Sequence, residues 1–288
     1  MVSDKVDEEL LEATGGQLKV VATFTAGTDH IDLRALKKRN IRLGYITDCL
    51  SDAVADLAVM LVLMAQRRAG EAMTTVSRGE WPQTPWHPLH MTGPQLKGTT
   101  VGFLGFGRIS QAALQKLVGF GIRQAIYITS QPGKPVQEDH FDLIRKSARG
   151  DTIPIEVAQD LDQIARDSDI IIVGCALTPS TKHLVKAEFF SKMKNTSVIV
   201  NIARGPVIDT NALEQALSQG KIFGAGLDVI EDEPNIQADH AILKQPRCVV
   251  LPHIGSATIE TREQMAAESL QNLLAGLAGE EMINEWKF

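Results

Sequence analysis

Residues 101–115 read VGFLGFGRISQAALQ, an apolar run that meets two glycines and continues into a stretch favourable to helix. The pattern predicts a strand, a tight turn and a helix. Gly105 permits the turn, Gly107 lets the backbone approach a pyrophosphate closely, and the start of the helix offers free N–H groups to its charge. The third position of the pattern holds Ser110 where glycine or alanine is usual, which weakens the match slightly. The stretch therefore predicts a dinucleotide site, with an ordinary tight turn as the alternative.

Other short apolar runs alternate with helical patterns along the chain. They read LKVVATF, IRLGYI, TTVGFLG, QAIYIT, DIIIVGCA, TSVIVNIA, FGAGLDVI and RCVVLPH. Most of them are continuously apolar, which is typical of strands that are buried on both faces. The predicted fold class is therefore α/β, with a doubly wound parallel sheet of the Rossmann type wrapped by helices.

The composition excludes several classes of function. The chain has 288 residues, 44% of them hydrophobic, and a formal net charge of −6 with both signs well mixed. A nucleic-acid surface needs a concentrated basic face, so we expect no nucleic-acid partner. The longest apolar stretch, 57–65, is shorter than the roughly 20 residues that span a bilayer, so we expect no membrane segment. Three scattered cysteines without metal-ligand spacing favour a reducing, cytoplasmic compartment and predict no metal site.

The end of the strand QAIYIT bears on which dinucleotide is bound. This end should lie beside the adenosine ribose, where NAD-binding proteins often place Asp or Glu. Here the run continues through Thr129, Ser130 and Gln131 to Lys134. No carboxylate would repel a 2′-phosphate and Lys134 would attract one, so the sequence favours NADPH, with NADH possible. The alternative is that Lys134 is a solvated loop lysine.

Three ionisable residues follow three predicted strands: Arg204, Glu233 and His253. In open α/β sheets the ligand binds beyond the carboxyl ends of the strands. Reduction of a 2-keto acid needs a cation for the substrate carboxylate, a proton donor for the carbonyl oxygen and a carboxylate that orients this donor. Singly, each residue also fits an ordinary structural role: an arginine at a helix start, a solvated acidic turn, a capping histidine. Together they predict a catalytic group.

At these residues the sequence resembles the D-isomer-specific 2-hydroxyacid dehydrogenase family, most closely its glyoxylate/hydroxypyruvate reductases. The matching stretches are TAGTDHIDL, GFLGFGRISQA, LTPSTKHLV, NIARGPVIDTNAL, GLDVIEDEP and LPHIGSAT. The resemblance runs from about residue 3 to the C-terminus. It implies an oxidoreductase that transfers a hydride from NADPH or NADH to a small 2-keto acid, giving a D-2-hydroxy acid.

The resemblance also implies roles for individual residues. Arg204 would bind the carboxylate and carbonyl of the substrate, Glu233 would pair with the histidine, and His253 would be the acid/base. Backbone N–H groups at Ala26 and Gly27 would hold the substrate carboxylate. Implied cofactor positions are Arg108 and Ile109 at the pyrophosphate, Ser130 and Lys134 at the 2′-phosphate, Leu177 and Ala203 near the nicotinamide half, and Asp228 and Gly255.

Two α/β domains are implied by the resemblance. Residues 1–49 and 259–288 would form a smaller, flavodoxin-like substrate domain, shortened at its N-terminus relative to the family and with two clear strands. Residues 50–258 would form the dinucleotide-binding domain. A shortened substrate domain leaves open a truncated, inactive product. A further alternative is a non-enzymatic dinucleotide sensor or scaffold on the same fold, against which the intact Arg204, Glu233 and His253 argue.

A long helix is predicted from Ser51, and it is apolar around most of its circumference. It is either a central core helix or a helix buried between domains or subunits. The resemblance implies a homodimer in which this helix takes part. Trp86, in the irregular Pro-rich loop 78–98, would then reach the substrate pocket of the partner. Further surface connections are predicted at 132–135 and 137–151, and His183 and the remaining histidines are assigned no role.

Overall fold

The computed structural model describes residues 4–136 and 152–288, so the surface connection predicted at 137–151 lies outside the described residues. The chain divides into two compact units. The terminal unit comprises Met1–Ala53 and Ser256–Phe288, and the central unit comprises Val54–Gly255. The boundaries predicted after residue 49 and before residue 259 fall close to these divisions, while the functions predicted for the two parts stay predictions.

The described helices and strands alternate along most of the chain. The strands are β1 (Val20–Ala22), β2 (Arg42–Gly44), β3 (Thr100–Leu104), β4 (Gln124–Ile128), β5 (Ile155–Val157), β6 (Ile170–Val173), β7 (Val198–Asn201), β8 (Gly224–Leu227) and β9 (Cys248–Val250). The α-helices are α1 (Glu8–Ala13), α2 (Leu33–Lys38), α3 (Ser51–Gln66), α4 (Ala69–Ser77), α5 (Arg108–Val118), α6 (Leu161–Asp167), α7 (Ala187–Lys192), α8 (Thr210–Ser218) and α9 (Ile259–Ala278). Short 3₁₀ turns occupy Trp81–Gln83, Gly205–Val207 and Ala241–Lys244.

The central unit is built on a seven-stranded parallel sheet in the order β5-β4-β3-β6-β7-β8-β9. The chain winds outward from β3 in one direction through β4 and β5, and then in the other direction from β6. The predicted α/β class with a doubly wound parallel sheet is therefore confirmed. Every residue of β3, β6, β7 and β8 is buried, as their continuous apolar runs predicted.

Strand β5 is absent from the sequence-based prediction. It is three residues long, it lies at the edge of the sheet, and its middle residue Glu156 is exposed. An edge strand has one open side, so it tolerates a charge and leaves only a weak apolar pattern in the sequence.

Helix α3 packs directly on the sheet of the central unit. A Cβ atom added at Gly226 in β8 would lie 2.9 Å from the Cβ of Leu61, and one added at Gly224 would lie 3.3 Å from the carbonyl oxygen of Ala65. These two glycines let the helix approach the strand closely. The contacts support the interpretation of α3 as a core helix, and its predicted role in a dimer stays a prediction.

Helix α4 and the loop after it are far less buried than α3. Arg68 has a left-handed φ of 53° and separates the two helices. None of the nine residues of α4 is buried, and loop 78–98 is irregular apart from one 3₁₀ turn, as its prolines predicted. No helix in residues 4–136 and 152–288 has both the length and the hydropathy to cross a membrane.

The terminal unit has a much smaller sheet, in which β1 and β2 pair in parallel. Its apolar core is formed by residues of α1, α2 and β2 and by two neighbouring isoleucines: Leu11, Ile31, Ala35, Leu36, Ile41 and Leu43. Helix α9 buries Met265, Asn272 and Gly276 but leaves three leucines more than half exposed: Leu270, Leu274 and Leu277.

Candidate active site

The turn between β3 and α5 lies at the point where the strand order reverses. Gly105 has a φ of +88°, and a Cβ atom there would lie 2.7 Å from the Cα of Cys175, which follows β6. Only glycine fits this contact. Burial raises the pKa of the Cys175 thiol to about 11, so the thiol stays protonated at neutral pH. The crevice between the ends of β3 and β6 is where a doubly wound sheet binds its ligand.

Ser110 fits the third position of the glycine pattern for a structural reason. Its side chain is buried, and its hydroxyl donates to the carbonyl oxygen of Gly105 at 2.9 Å. On the facing strand connection, a Cβ atom at Gly174 would lie 2.4 Å from the Ser110 Oγ. The polar residue is therefore accommodated by a glycine opposite it, and it ties the turn together.

The start of α5 fits a bound pyrophosphate. Gly107 is the N-cap residue of this eleven-residue helix, and a Cβ atom there would meet no atom within 4 Å. The first turn carries no acidic residue, Arg108 is exposed and Ile109 is half-buried. Open space beside the first turn of a helix, without a competing carboxylate, suits a phosphate anion.

The residues predicted to select the dinucleotide lie on the surface after β4. Ser130 and Lys134 are both exposed, and the turn between them is held by a hydrogen bond from the Gly133 N–H to the carbonyl oxygen of Ala158 at 3.0 Å. The described residues from 129 to 136 include no carboxylate. Leu177 and Ala203, predicted near the nicotinamide half, are partly buried against the core at the ends of β6 and β7.

Asn201, the last residue of β7, shapes the turn that carries Arg204. Its buried amide donates to the carbonyl oxygen of Arg204 at 3.0 Å and accepts from the Ala203 N–H at 3.0 Å. The Arg204 guanidinium in turn donates to the Ala203 carbonyl oxygen at 2.8 Å. Asn201 was not among the predicted site residues, although an amide at a strand end close to a charged residue is a recognisable turn signal.

Gly205 brings the Arg204 turn against the connection that follows β8. A Cβ atom at this position would lie 2.1 Å from the carbonyl carbon of Ile230 and 2.5 Å from the nitrogen of Glu231. These are backbone atoms and cannot move aside like the end of a side chain. The glycine therefore fixes two of the three predicted catalytic turns as direct neighbours.

Glu233 and His253 form the hydrogen-bonded pair that the sequence predicted. The Nδ1 of His253 lies 2.8 Å from Oε1 of Glu233, and the second carboxylate oxygen accepts from the Ile230 N–H at 3.1 Å. The side chains are 46% and 30% exposed, so the pair is open to solvent and to a ligand. With Nδ1 committed to the carboxylate, Nε2 is the nitrogen that can face a substrate.

Asp228 holds the loop that carries His253. Its buried carboxylate accepts from the N–H groups of Ile254 and Gly255, both at 2.8 Å, and its carbonyl oxygen accepts from the His253 N–H at 2.9 Å. Burial raises the pKa of Asp228, although both N–H contacts oppose the rise. His253 has a left-handed φ of 54°, which these bonds maintain. The cofactor role predicted for Asp228 and Gly255 stays a prediction.

Ala26 and Gly27 lie in the terminal unit, in the loop after β1. The Thr25 hydroxyl donates to the Gly27 carbonyl oxygen at 2.8 Å, and the hydroxyls of Thr23 and Thr25 lie 2.7 Å apart. Within the part of the chain that the structure describes, the N–H groups of Ala26 and Gly27 donate no hydrogen bond. Two free donors on an anchored loop are suited to an anion.

His183, which the sequence analysis left without a role, is paired with a carboxylate in the structure. Its Nε2 lies 2.7 Å from Oε1 of Glu231. The two residues are 48 positions apart and belong to different strand connections, so no local pattern signals the pair. Across residues 4–136 and 152–288, no three His, Cys, Asp or Glu side chains are arranged to hold a metal ion.

Comparisons with known proteins agree with this arrangement. The family model for the NAD-binding domain of D-isomer-specific 2-hydroxyacid dehydrogenases matches residues 59–255. A glyoxylate reductase/hydroxypyruvate reductase of Mus musculus is 44% identical over 286 residues, covering 99% of this chain and 82% of the relative.

Solved structures give the same result for the fold. A glyoxylate reductase from Paecilomyes thermophila superposes with a TM-score of 0.82 at 32% identity, covering 98% of this chain and 79% of that one. An NADPH-dependent glyoxylate/hydroxypyruvate reductase from Sinorhizobium meliloti, in complex with NADP and malonate, gives a TM-score of 0.81 at 31% identity and covers 98% and 82%. The predicted resemblance is confirmed: the chain belongs to the D-isomer-specific 2-hydroxyacid dehydrogenases, with a domain that binds a nicotinamide dinucleotide.

Proposed function

We propose that this protein reduces a small 2-keto acid, glyoxylate or hydroxypyruvate, to a D-2-hydroxy acid with NADPH. The observation that carries the proposal is the convergence of Arg204 and the His253–Glu233 pair at the ends of β7, β8 and β9. A bound nicotinamide dinucleotide supplies the hydride. The relatives named for glyoxylate and hydroxypyruvate reduction support this choice of substrates.

His253 is the proton donor in this proposal. Its Nε2 gives a proton to the carbonyl oxygen as the carbonyl carbon receives the hydride, so the keto acid gains one hydride and one proton. Glu233, 2.8 Å from Nδ1, fixes the ring and stabilises the positive charge of the protonated ring before the transfer. The half-exposed ring then takes up a new proton from solvent.

Arg204 is the anchor for the substrate carboxylate. A guanidinium offers two parallel N–H donors to a carboxylate, which sets the plane of the bound keto acid. Asn201 holds the turn, so the cation is fixed before the substrate arrives. The free N–H groups of Ala26 and Gly27, in the terminal unit, are proposed separately as donors to a substrate carboxylate.

The preference for NADPH rests on the surface after β4. Without a carboxylate between residues 129 and 136, a 2′-phosphate meets no repulsion there, and Ser130 and Lys134 offer a hydroxyl and a cation. The Sinorhizobium meliloti relative, solved with NADP, supports the same preference. NADH stays an alternative cofactor.

A homodimer is proposed from the exposed apolar surface of the central unit. Helix α4 has no buried residue, and Ala72, Met73, Val76 and Ser77 line an apolar groove of about 440 Å³. Trp86 in the following loop is 88% exposed. An exposed apolar patch of this kind marks an interaction surface. We assign it to a second copy of the chain, in whose substrate pocket Trp86 would lie.

Sedimentation measurements test the dimer. Met73→Glu should place charges in the interface and shift the protein to monomer, whereas Leu270→Glu, on the terminal unit, should not. Trp86→Ala should raise KM for the keto acid. A wild-type monomer at micromolar concentration would remove the dimer from the proposal.

The free thiols Cys49, Cys175 and Cys248 are consistent with the proposed cytoplasmic location.

A matrix of substrates and cofactors tests the proposed reaction. Purified protein is assayed with glyoxylate, hydroxypyruvate and pyruvate against NADPH and NADH, following the loss of absorbance of the reduced cofactor. The highest kcat/KM is expected for hydroxypyruvate or glyoxylate with NADPH. A folded protein that binds either cofactor and turns over none of the three acids would contradict the proposal and favour a non-enzymatic sensor.

A further inference from the structure

A second histidine–glutamate pair lies beside the proposed catalytic pair. Nε2 of His183 is 2.7 Å from Oε1 of Glu231, and the two side chains are 40% and 22% exposed. The His183 N–H donates to the carbonyl oxygen of Pro206 at 2.8 Å, next to the Arg204 turn. The proposed reaction has no use for a second proton donor, so the pair calls for another explanation.

Glu231 joins three connections of the sheet through its two carboxylate oxygens. One oxygen binds His183, in the connection after β6, and the other accepts from the Thr210 N–H at 2.9 Å, at the start of α8 after β7. Glu231 itself follows β8. Partial burial raises its pKa, but the bonds from His183 and Thr210 outweigh this effect, so the pKa of Glu231 lies below its usual range. The carboxylate is therefore charged at neutral pH.

The backbone at Glu231 also fixes the position of Glu233. The Glu233 carboxylate accepts a hydrogen bond from the N–H of Ile230, the residue before Glu231. The close contact with Gly205 also prevents this stretch of backbone from moving toward the Arg204 turn. A shift of this backbone would move the carboxylate that orients His253. Glu231 is the side chain that anchors the stretch to the neighbouring connections.

We propose that His183 and Glu231 are a positioning pair that holds Glu233 in the orientation it needs to support His253. The inference rests on the proposed function. In this proposal the pair acts on the reaction through Glu233 and does not contact the substrate. A partly exposed hydrogen-bonded pair contributes little to overall stability, so the effect of removing it should appear in the chemical step instead of in the melting temperature.

Two variants separate the pair from the fold. His183→Gly removes the imidazole while glycine accepts the left-handed φ of 51° at this position. Glu231→Gln keeps an acceptor for the Thr210 N–H and removes the charge. Lys192→Gln is the control, since it removes two partly exposed ion pairs, with Asp162 and Glu188, in the same unit.

Steady-state kinetics of the three single variants and of the double variant at His183 and Glu231 give the first readout. Each of His183→Gly and Glu231→Gln should lower kcat about tenfold and change KM for the keto acid less than about twofold. The double variant should lose no more than either single variant, because the two residues act as one pair. Lys192→Gln should match the wild type.

A second readout does not depend on turnover. The side-chain ¹⁵N resonances of His253 in the substrate-free protein should shift in His183→Gly and in Glu231→Gln but not in Lys192→Gln. Three outcomes would overturn the inference. The first is unchanged kcat together with unchanged resonances. The others are losses of kcat that multiply in the double variant, and losses of kcat that follow a lowered melting temperature. An inactive wild type would contradict the proposed function alone, and the resonances would still decide whether the pair positions His253.

Discussion

The central and terminal units differ in how firmly their functional loops are held. In the central unit, Asn201 holds the turn after β7, Asp228 joins the turns after β8 and β9, and the tight Gly205 contact joins the turns after β7 and β8. In the terminal unit, the Ala26–Gly27 loop follows a strand of three residues in a two-stranded sheet, and two threonine hydroxyls hold it.

We expect this difference in loop anchoring to assign the chemical step to the central unit and the choice of substrate to the terminal unit. Proton transfer and hydride transfer tolerate little movement, because a small displacement of the reacting groups costs much of the rate. The residues proposed for these steps lie in the turns that follow the buried strands of the central unit. The loop proposed to hold the substrate carboxylate has fewer bonds and can adjust to acids of different shape.

Removal of the proposed proton donor should have the largest effect on activity. His253→Asn removes the imidazole, and asparagine tolerates the left-handed backbone at this position. We expect kcat to fall by about 10²- to 10⁴-fold, while the dissociation constant of NADPH changes little. Stopped-flow kinetics and fluorescence titration measure the two quantities. His240→Asn, which changes a histidine of the same unit that caps a 3₁₀ turn, is the control and should keep full activity.

A pair of glycine substitutions compares the rigidity of the two units. Gly205→Ala places a methyl group against the backbone of Ile230 and should cost about 3 kcal/mol of unfolding free energy or more. Gly276→Ala in α9 meets side-chain atoms, the end of Met282 and the two methyl groups of the buried Val20 at 2.8 and 2.9 Å. It should cost less than Gly205→Ala, about 1 to 2 kcal/mol, since side chains shift more readily than backbone and the helix preference for alanine offsets part of the strain. Urea unfolding gives both values, and equal losses would contradict the comparison.

A charge introduced after β4 should change cofactor choice more mildly. Ser130→Asp places a carboxylate where the 2′-phosphate is expected and should raise KM for NADPH about tenfold, with KM for NADH unchanged or lower. Lys134→Gln should raise KM for NADPH by a smaller factor, because a flexible exposed lysine contributes less. If both variants keep the wild-type ratio of the two KM values, the phosphate does not bind at this surface.

The smallest effect concerns the acid stability of the terminal unit. Hydrogen bonding to Arg42 lowers the pKa of Glu285. The stabilisation this provides is complete above the unfolded-state pKa of glutamate, about 4.3, and is lost as the pH falls through the lower folded-state pKa. Glu285→Gln should therefore be less stable than the wild type at about pH 6, and the difference should shrink toward about pH 3. Glu281→Gln, an exposed neighbour, is the control for urea unfolding at both pH values.

The fold was predictable where strands are buried on both faces. Runs such as DIIIVGCA are apolar without interruption, so the parallel sheet and its order of helices follow from the sequence. Strand β5 was missed because one of its three residues is the exposed Glu156. Ser110 weakened the glycine pattern in the sequence, and only the structure shows that Gly174 makes room for it.

The candidate site was predictable where an ionisable residue lies shortly after a strand. Arg204, Glu233 and His253 come three, six and three residues after the ends of β7, β8 and β9, and their chemistry differs enough to suggest separate tasks. The residues that hold them were not predictable in the same way. His183 and Glu231 meet only after two separate strand connections have come together, and the need for Gly205 comes from a contact with a backbone 25 residues away.

The carboxylate of Asp228 has a consequence for hydrogen exchange. The amide protons of Ile254 and Gly255 both point at this buried acceptor, although Ile254 itself is 37% exposed and no regular structure protects the segment. Both protons should exchange with deuterium as slowly as those of the adjacent strands. The deuteration of this one peptide therefore reports whether the loop beside His253 keeps its shape, with no substrate or assay required.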